Sequence, residues 1–132
     1  MNSKTVTLIL NAPKSEVFSF ISNIENLPKW ATEFCQELKK VGDKYKVISC
    51  NPDAPELFFN IRSDRATGVV DMFAGPTEEQ MSIFPTRVVE LSDKASVYIF
   101  TMFQTPGMSD ELFNAQYNSL TKEFGNIRKR FA

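Results

Sequence analysis

The last quarter of the chain constrains the fold most. From roughly Ser109 to Phe131, apolar residues fall at Phe113, Tyr117, Leu120, Phe124, Ile127 and Phe131, with gaps of four, three, four, three and four. That alternation keeps one face of an α-helix apolar over its whole length, while Asn, Lys, Glu and Arg occupy the other face. Ser109 or Asp110 caps the start, where a side-chain oxygen can accept a free backbone N–H, and Asp110 and Glu111 suit the positive end of the helix dipole. A stripe this regular has to be buried. In a chain of 132 residues, which fits one domain with one core, an antiparallel sheet is the surface large enough to bury it.

The rest of the chain supplies that sheet. Lys4 to Leu10 is β-branched and partly alternating, and reads as a strand. Pro13 then marks a helix start, and Val17, Ile21 and Ile24 follow at helical spacing through Lys14 to Asn23. A second short helix follows Asn26, with Pro28 in its first turn and Trp30 near its end. Beyond it the period becomes two. Glu37 to Val41 and Lys44 to Ser49 flank Gly42-Asp43, a hairpin turn that sets Leu38 opposite Val47 and brings Cys35 near Cys50. Further strands are expected at Leu57 to Ser63, Gly68 to Phe73, Gln80 to Leu91 and Ala95 to Gln104, with a turn at Gly75-Pro76-Thr77-Glu78. Pro85 has no N–H to donate, so its strand is bulged there or runs along an edge. The order is strand, two helices, six strands, long helix: an α+β domain spanning 1–132, with a curved antiparallel sheet of about seven strands around a long C-terminal helix.

Composition narrows the function classes. The chain has no histidine, which removes the commonest general base and zinc ligand together, and with two cysteines a structural zinc site is not expected. No glycine-rich phosphate loop is present, so no metal, nucleotide or other cofactor is expected. Net charge is −1 with signs interspersed, too little to hold nucleic acid through its phosphates. The terminal Arg128-Lys129-Arg130 suits the negative end of the helix dipole. No run approaches the ~20 apolar residues of a membrane span, and the opening MNSKTVTLIL lacks the pattern of a signal peptide. A cytoplasmic protein with reduced thiols, monomeric or a weak homodimer, is the expectation.

Twelve Phe with one Trp and three Tyr point to a core or cavity lined by aromatic faces. The informative polar residues are those set in apolar strands. Asp71 and Arg87 lie on successive strands and face each other if the turn between them centres near residue 79; Arg62, one strand further, could join them. A charge there is either paired or solvated. On the concave face the pair would anchor a small ligand; on the convex face it would be a surface salt bridge. Tyr45, Tyr98 and Tyr117 could present phenols to the same pocket, or pack with only the hydroxyl at its rim. Gly125, inside the long helix, reads as relief of crowding against the sheet. Trp30 reads as filler between helix and sheet, and Met72, Met81, Met102 and Met108 as core or an adaptable lining.

Several stretches, taken together, resemble the START/SRPBCC superfamily, also called polyketide cyclase/dehydrase-like or pollen-allergen-like. Asn11-Ala12-Pro13 with Val17-Phe18 and Ile21 is similar to its opening motif. Asn23 through Trp30 (NIENLPKW) is similar to its short helix pair, and Pro106 through Glu111 (PGMSDE) with the following helix resembles the ending of short bacterial members. The resemblance covers essentially the whole chain and implies the helix-grip fold. It implies function only broadly, because the superfamily includes carriers, receptors, cyclases, oxygenase subunits and chaperone activators. Without histidine the chain cannot carry the Rieske centre or iron ligands of the oxygenases. Three readings stay open. One is a binding protein for a hydrophobic or aromatic small molecule, with a pocket at Tyr45, Asp71, Arg87, Tyr98, Phe113 and Tyr117. The second is a cyclase/dehydrase-like enzyme using Asp71, Arg87 and a tyrosine. The third is an interaction module with an exposed apolar patch. In the first, the helix stripe divides: Tyr117 borders a cavity and Phe131 does not.

Overall fold

The computed structural model describes all 132 residues. Strand β1 (Ser3–Leu10) leads into α1 (Lys14–Ser22), a single helical turn at Ile24–Asn26, and α2 (Leu27–Trp30). Six strands follow: β2 (Glu37–Val41), β3 (Lys44–Ile48), β4 (Leu57–Asp64), β5 (Val69–Thr77), β6 (Gln80–Ser92) and β7 (Ala95–Phe103). The long helix α3 (Asp110–Arg130) closes the chain. All neighbouring strands are antiparallel, in the order β1-β7-β6-β5-β4-β3-β2. The fold is α+β, a curved seven-stranded sheet gripping a long helix, with short helices after β1.

Alternation decides which side chains face the helix. On β7, Ser96, Tyr98, Phe100 and Met102 are buried, and the residues between them are half-buried on the outer face. Val70, Met72 and Ala74 of β5 and Thr86 and Val88 of β6 continue the inner face across the sheet. Against it α3 buries Phe113, Leu120, Phe124 and Ile127, with Tyr117 and Phe131 half-buried. Each such side chain removed from water contributes ~1.5–3 kcal/mol. Ser109 caps α3, its hydroxyl accepting from the Leu112 N–H at 3.1 Å.

The Gly42-Asp43 hairpin has the expected register, with Leu38 opposite Val47 and Lys40 opposite Tyr45. Both cysteines are free thiols. The β5–β6 hairpin differs. Gly75-Pro76-Thr77 is not a turn; β5 runs on to Thr77, which pairs with Gln80. The register shifts between Ala74 and Thr77, so Asp71 faces Pro85 and Arg87 faces Val69. Gly75 is required there: a Cβ would sit 1.9 Å from the Gln80 carbonyl oxygen. Pro85 lies just outside the β6–β7 ladder, which begins at Thr86, so its missing N–H costs no bond on that side. Gly125 has open space where a Cβ would go, so crowding does not account for it.

Candidate functional site

A cavity of about 450 Å³ lies between α3 and the inner face of the sheet. Phe59 of β4, Met72 of β5, Phe84 of β6, and Phe100 and Met102 of β7 form its floor. Leu27, Trp30 and Ala31 of α2 and its end, with Phe34, close one side; Ser49, Cys50, Asn51 and Ala54 of the β3–β4 loop continue that wall, the Ser49 hydroxyl and Cys50 thiol donating to the Glu33 carbonyl. The helix contributes Leu112, Ala115, Gln116, Ser119, Leu120 and Glu123. Leu112, Gln116, Ser119 and Glu123 each stand one residue before a member of the apolar stripe, so the cavity opens along the flank of that stripe. Leu112, Ala115, Gln116, Cys50 and Asn51 are exposed and mark the mouth. Fourteen of the twenty lining residues are apolar, which suits an apolar occupant of small-molecule size.

The polar groups converge on one place. The α2 helix is too short to use its following N–H groups internally, and those of Glu33 and Phe34 donate to Glu123 Oε2 at 3.0 and 2.9 Å. This ties the middle of α3 to the turn after α2. Asn126, one turn on, adds its side-chain N–H₂ to the Trp30 carbonyl at 2.9 Å and the Thr32 hydroxyl at 3.1 Å. Glu123 is only 4% exposed. Burial pushes its carboxyl up to about 7; the two N–H donors hold it down in part, and the neighbouring Glu33 carboxylate raises it again. Glu33 accepts from the Ser119 hydroxyl at 3.3 Å and lies 3.7 Å from the Lys122 ammonium. Burial also pushes the Cys35 thiol up to about 11, which leaves it protonated and unreactive at neutral pH.

None of the six residues expected at the pocket lines this cavity. Asp71 and Arg87 face outward because both hold odd positions on strands whose even positions face inward. Asp71 meets Arg62 across the strands at 3.5 Å, and Arg87 donates to the Thr67 carbonyl at 3.0 Å. Tyr45 pairs with Phe59 but lies toward the β2–β3 end of the sheet, under Lys40. Tyr98 is fully buried in the core, edge-on to Trp30 and Phe100 and beside Phe124. Its hydroxyl stands beside that of Thr86, which donates to the Val70 carbonyl, and burial raises its pKa above the ordinary phenol range. Phe113 and Tyr117 turn toward β1, where Lys4 stands 5.6 and 4.3 Å over their rings and donates to Asn114. Tyr117 therefore belongs to the β1 contact and not to the cavity. Trp30 is both filler and lining, and Met72 and Met102 are lining.

Glu123 and Glu33 were not singled out from the sequence. The available signal was spacing: Glu123 falls three residues after Leu120 and four before Ile127, at the interval of the stripe itself. On an amphipathic helix rich in Glu and Lys, that position reads as a solvated flank.

No family model matches the chain, and no curated protein matches it in sequence. Solved structures match it in shape. An uncharacterized protein from Bacillus thuringiensis aligns with a TM-score of 0.76 at 14% identity, over 98% of each chain. A START superfamily protein from Mycobacterium smegmatis gives 0.65 at 12% identity, over 98% of this chain and 99% of that one. The Zhui aromatase/cyclase from Streptomyces sp. R1128 gives 0.66 at 11% identity, over 97% and 89%. At such identities the likeness concerns the fold. The chain has the helix-grip fold of the START/SRPBCC proteins.

Proposed function

We propose that this protein binds a small hydrophobic molecule in the cavity between α3 and the sheet. One observation carries the reading: the inner face of a curved sheet and the flank of α3 leave about 450 Å³ unfilled, walled mainly by apolar side chains and reached through an exposed mouth. Sheet–helix packing normally leaves few voids larger than a water molecule, so an apolar space this large is a receptacle. The cyclase-like alternative needs a base and a phenol converging on one cavity. Asp71 lies on the outer face, and no tyrosine lines the cavity beside Glu123. Binding without turnover is the better reading. The START and aromatase/cyclase structures of the same fold are compatible with it.

Trp30 is the sole tryptophan and lines the cavity, so its emission reports occupancy. Titration with 1-decanol is expected to change that emission saturably, with one site per chain. Ala115→Phe narrows the mouth from an exposed helix position and is expected to weaken the binding ~10-fold or more while leaving the fold intact. A linear, unsaturable response, or one identical in Ala115→Phe, would remove the cavity as the site.

A further inference from the structure

The polar end of the cavity defines which apolar molecule fits. Six of its lining residues are polar: Glu33, Ser49, Asn51, Gln116, Ser119 and Glu123. No lysine or arginine is among the twenty. Glu123 spends one oxygen on the backbone N–H groups of Glu33 and Phe34; its other oxygen, Oε1, accepts no hydrogen bond although the residue is 96% buried. Glu33 Oε2 is likewise buried without a hydrogen-bond donor, since Lys122 stops 3.7 Å away. Both carboxyl groups border the same apolar space; Glu33 is already ion-paired with Lys122 through Oε2, and Glu123 keeps an oxygen without a partner. An anionic head group placed there would meet like charge with no cation in the wall. An alcohol would satisfy one oxygen and leave the charge. An ammonium supplies several donors and the missing positive charge together.

We propose that the cavity takes an apolar amine, with its ammonium seated between Glu123 Oε1 and Glu33 and its hydrocarbon body over Met102 and Phe84. This rests on the binding role argued above and assigns the ligand class. It carries a pH dependence. The groups facing Glu123 are the Glu33 carboxylate and the Cys35 thiol, with Glu37 beyond the thiol; Lys122 is directed to Glu33. The thiol stays neutral, so Glu123 is the group that changes charge near pH 7. Alkylammonium binding is expected to strengthen as pH rises from 6 to 8, and 1-decanol binding is not.

The test is a Trp30 fluorescence titration of the full chain at pH 8 with decylamine, 1-decanol and decanoate, each below its micellar concentration. Decylamine is expected to bind ~10-fold tighter than 1-decanol, with decanoate weakest. Glu123→Gln keeps an oxygen for the two backbone N–H groups and is expected to abolish the preference for the amine, bringing decylamine to within a fewfold of 1-decanol in the same variant. Glu33→Gln, on an irregular segment, is expected to reduce that preference and serves if the first variant folds poorly. Equal or tighter binding of 1-decanol or decanoate, or a preference that survives in both variants, would overturn the amine assignment while the cavity stands. Failure of all three probes to bind would remove the binding role itself, and the assignment with it.

Discussion

A carboxyl group that is nearly fully buried and held by two backbone N–H donors can be a structural tie, a ligand contact, or both. For Glu123 the balance is readable in its titration. Its carboxyl stands at about 7 in the folded chain against 4.5 for an ordinary glutamate, so between those values the folded state binds more protons than the unfolded one. Stability therefore falls as pH rises through that window. The cost is absent below about 4.5 and complete above about 7, where it is on the order of 3 kcal/mol. Glu123→Gln is expected to raise the urea midpoint clearly at pH 8 and to change it little at pH 4. An equal shift at both values would mean that charge burial is not what the substitution relieves. A residue that costs stability at the pH where most proteins work is a candidate for function. It escaped sequence reasoning because charge on a helix flank is ordinary. Asp71 drew notice because charge in an apolar strand is not, yet it proved to be a surface ion pair with Arg62, of the kind worth ~0–1 kcal/mol.

Within single elements, local chemistry made most of the fold legible and one local defect misled it. The two-residue turn at Gly42-Asp43 leaves a single pairing for β2 and β3, and the spacing of the α3 stripe leaves a single buried face. The irregularity after Ala74 has no comparable signature. Gly75-Pro76 looks like a turn, but the strand runs on to a turn between Thr77 and Gln80, and a one-residue register shift after Ala74 adds to that, so Asp71 meets Pro85 and not the expected Arg87. The cavity was missed for a related reason. It borders the row Leu112, Gln116, Ser119 and Glu123, one residue off the stripe, where mixed polarity gives no periodic signal. Gly125 and Gly68 make a contrast that tests the local account. Gly125 is helical with open space at its Cβ, so Gly125→Ala is expected to stabilise by ~1 kcal/mol and raise Tm by a few degrees. Gly68 has φ +80 and a Cβ position 2.0 Å from the Val88 carbonyl oxygen, so Gly68→Ala is expected to lower Tm instead. A destabilised Gly125→Ala would show that some contact requires the bare backbone there.

At the scale of the whole molecule, the cavity is a consequence of how the sheet meets the helix. β1 pairs with β7, so the first strand brings Lys4 beneath the start of α3, where it engages Asn114 and the rings of Phe113 and Tyr117. The turn after α2 holds the middle of α3 through Glu123 and Asn126. Pinned on those two sides and packed through Phe124 on Tyr98 and Phe100 of β7, the helix leaves the space beneath its Leu112–Glu123 flank open. No helix is long and apolar enough to cross a membrane. The outer sheet face mixes Thr5, Thr101, Arg62 and Asp71 with separate exposed apolar residues such as Ile9 and Leu91. The central claim is that the space under α3 is a binding site. Its most direct test is a crystal structure grown with 1-decanol. The alkyl chain is predicted to lie between Met102, Phe84 and Leu120, with its hydroxyl toward Glu123. A chain bound elsewhere, or side chains of α3 and β7 filling the space, would contradict it.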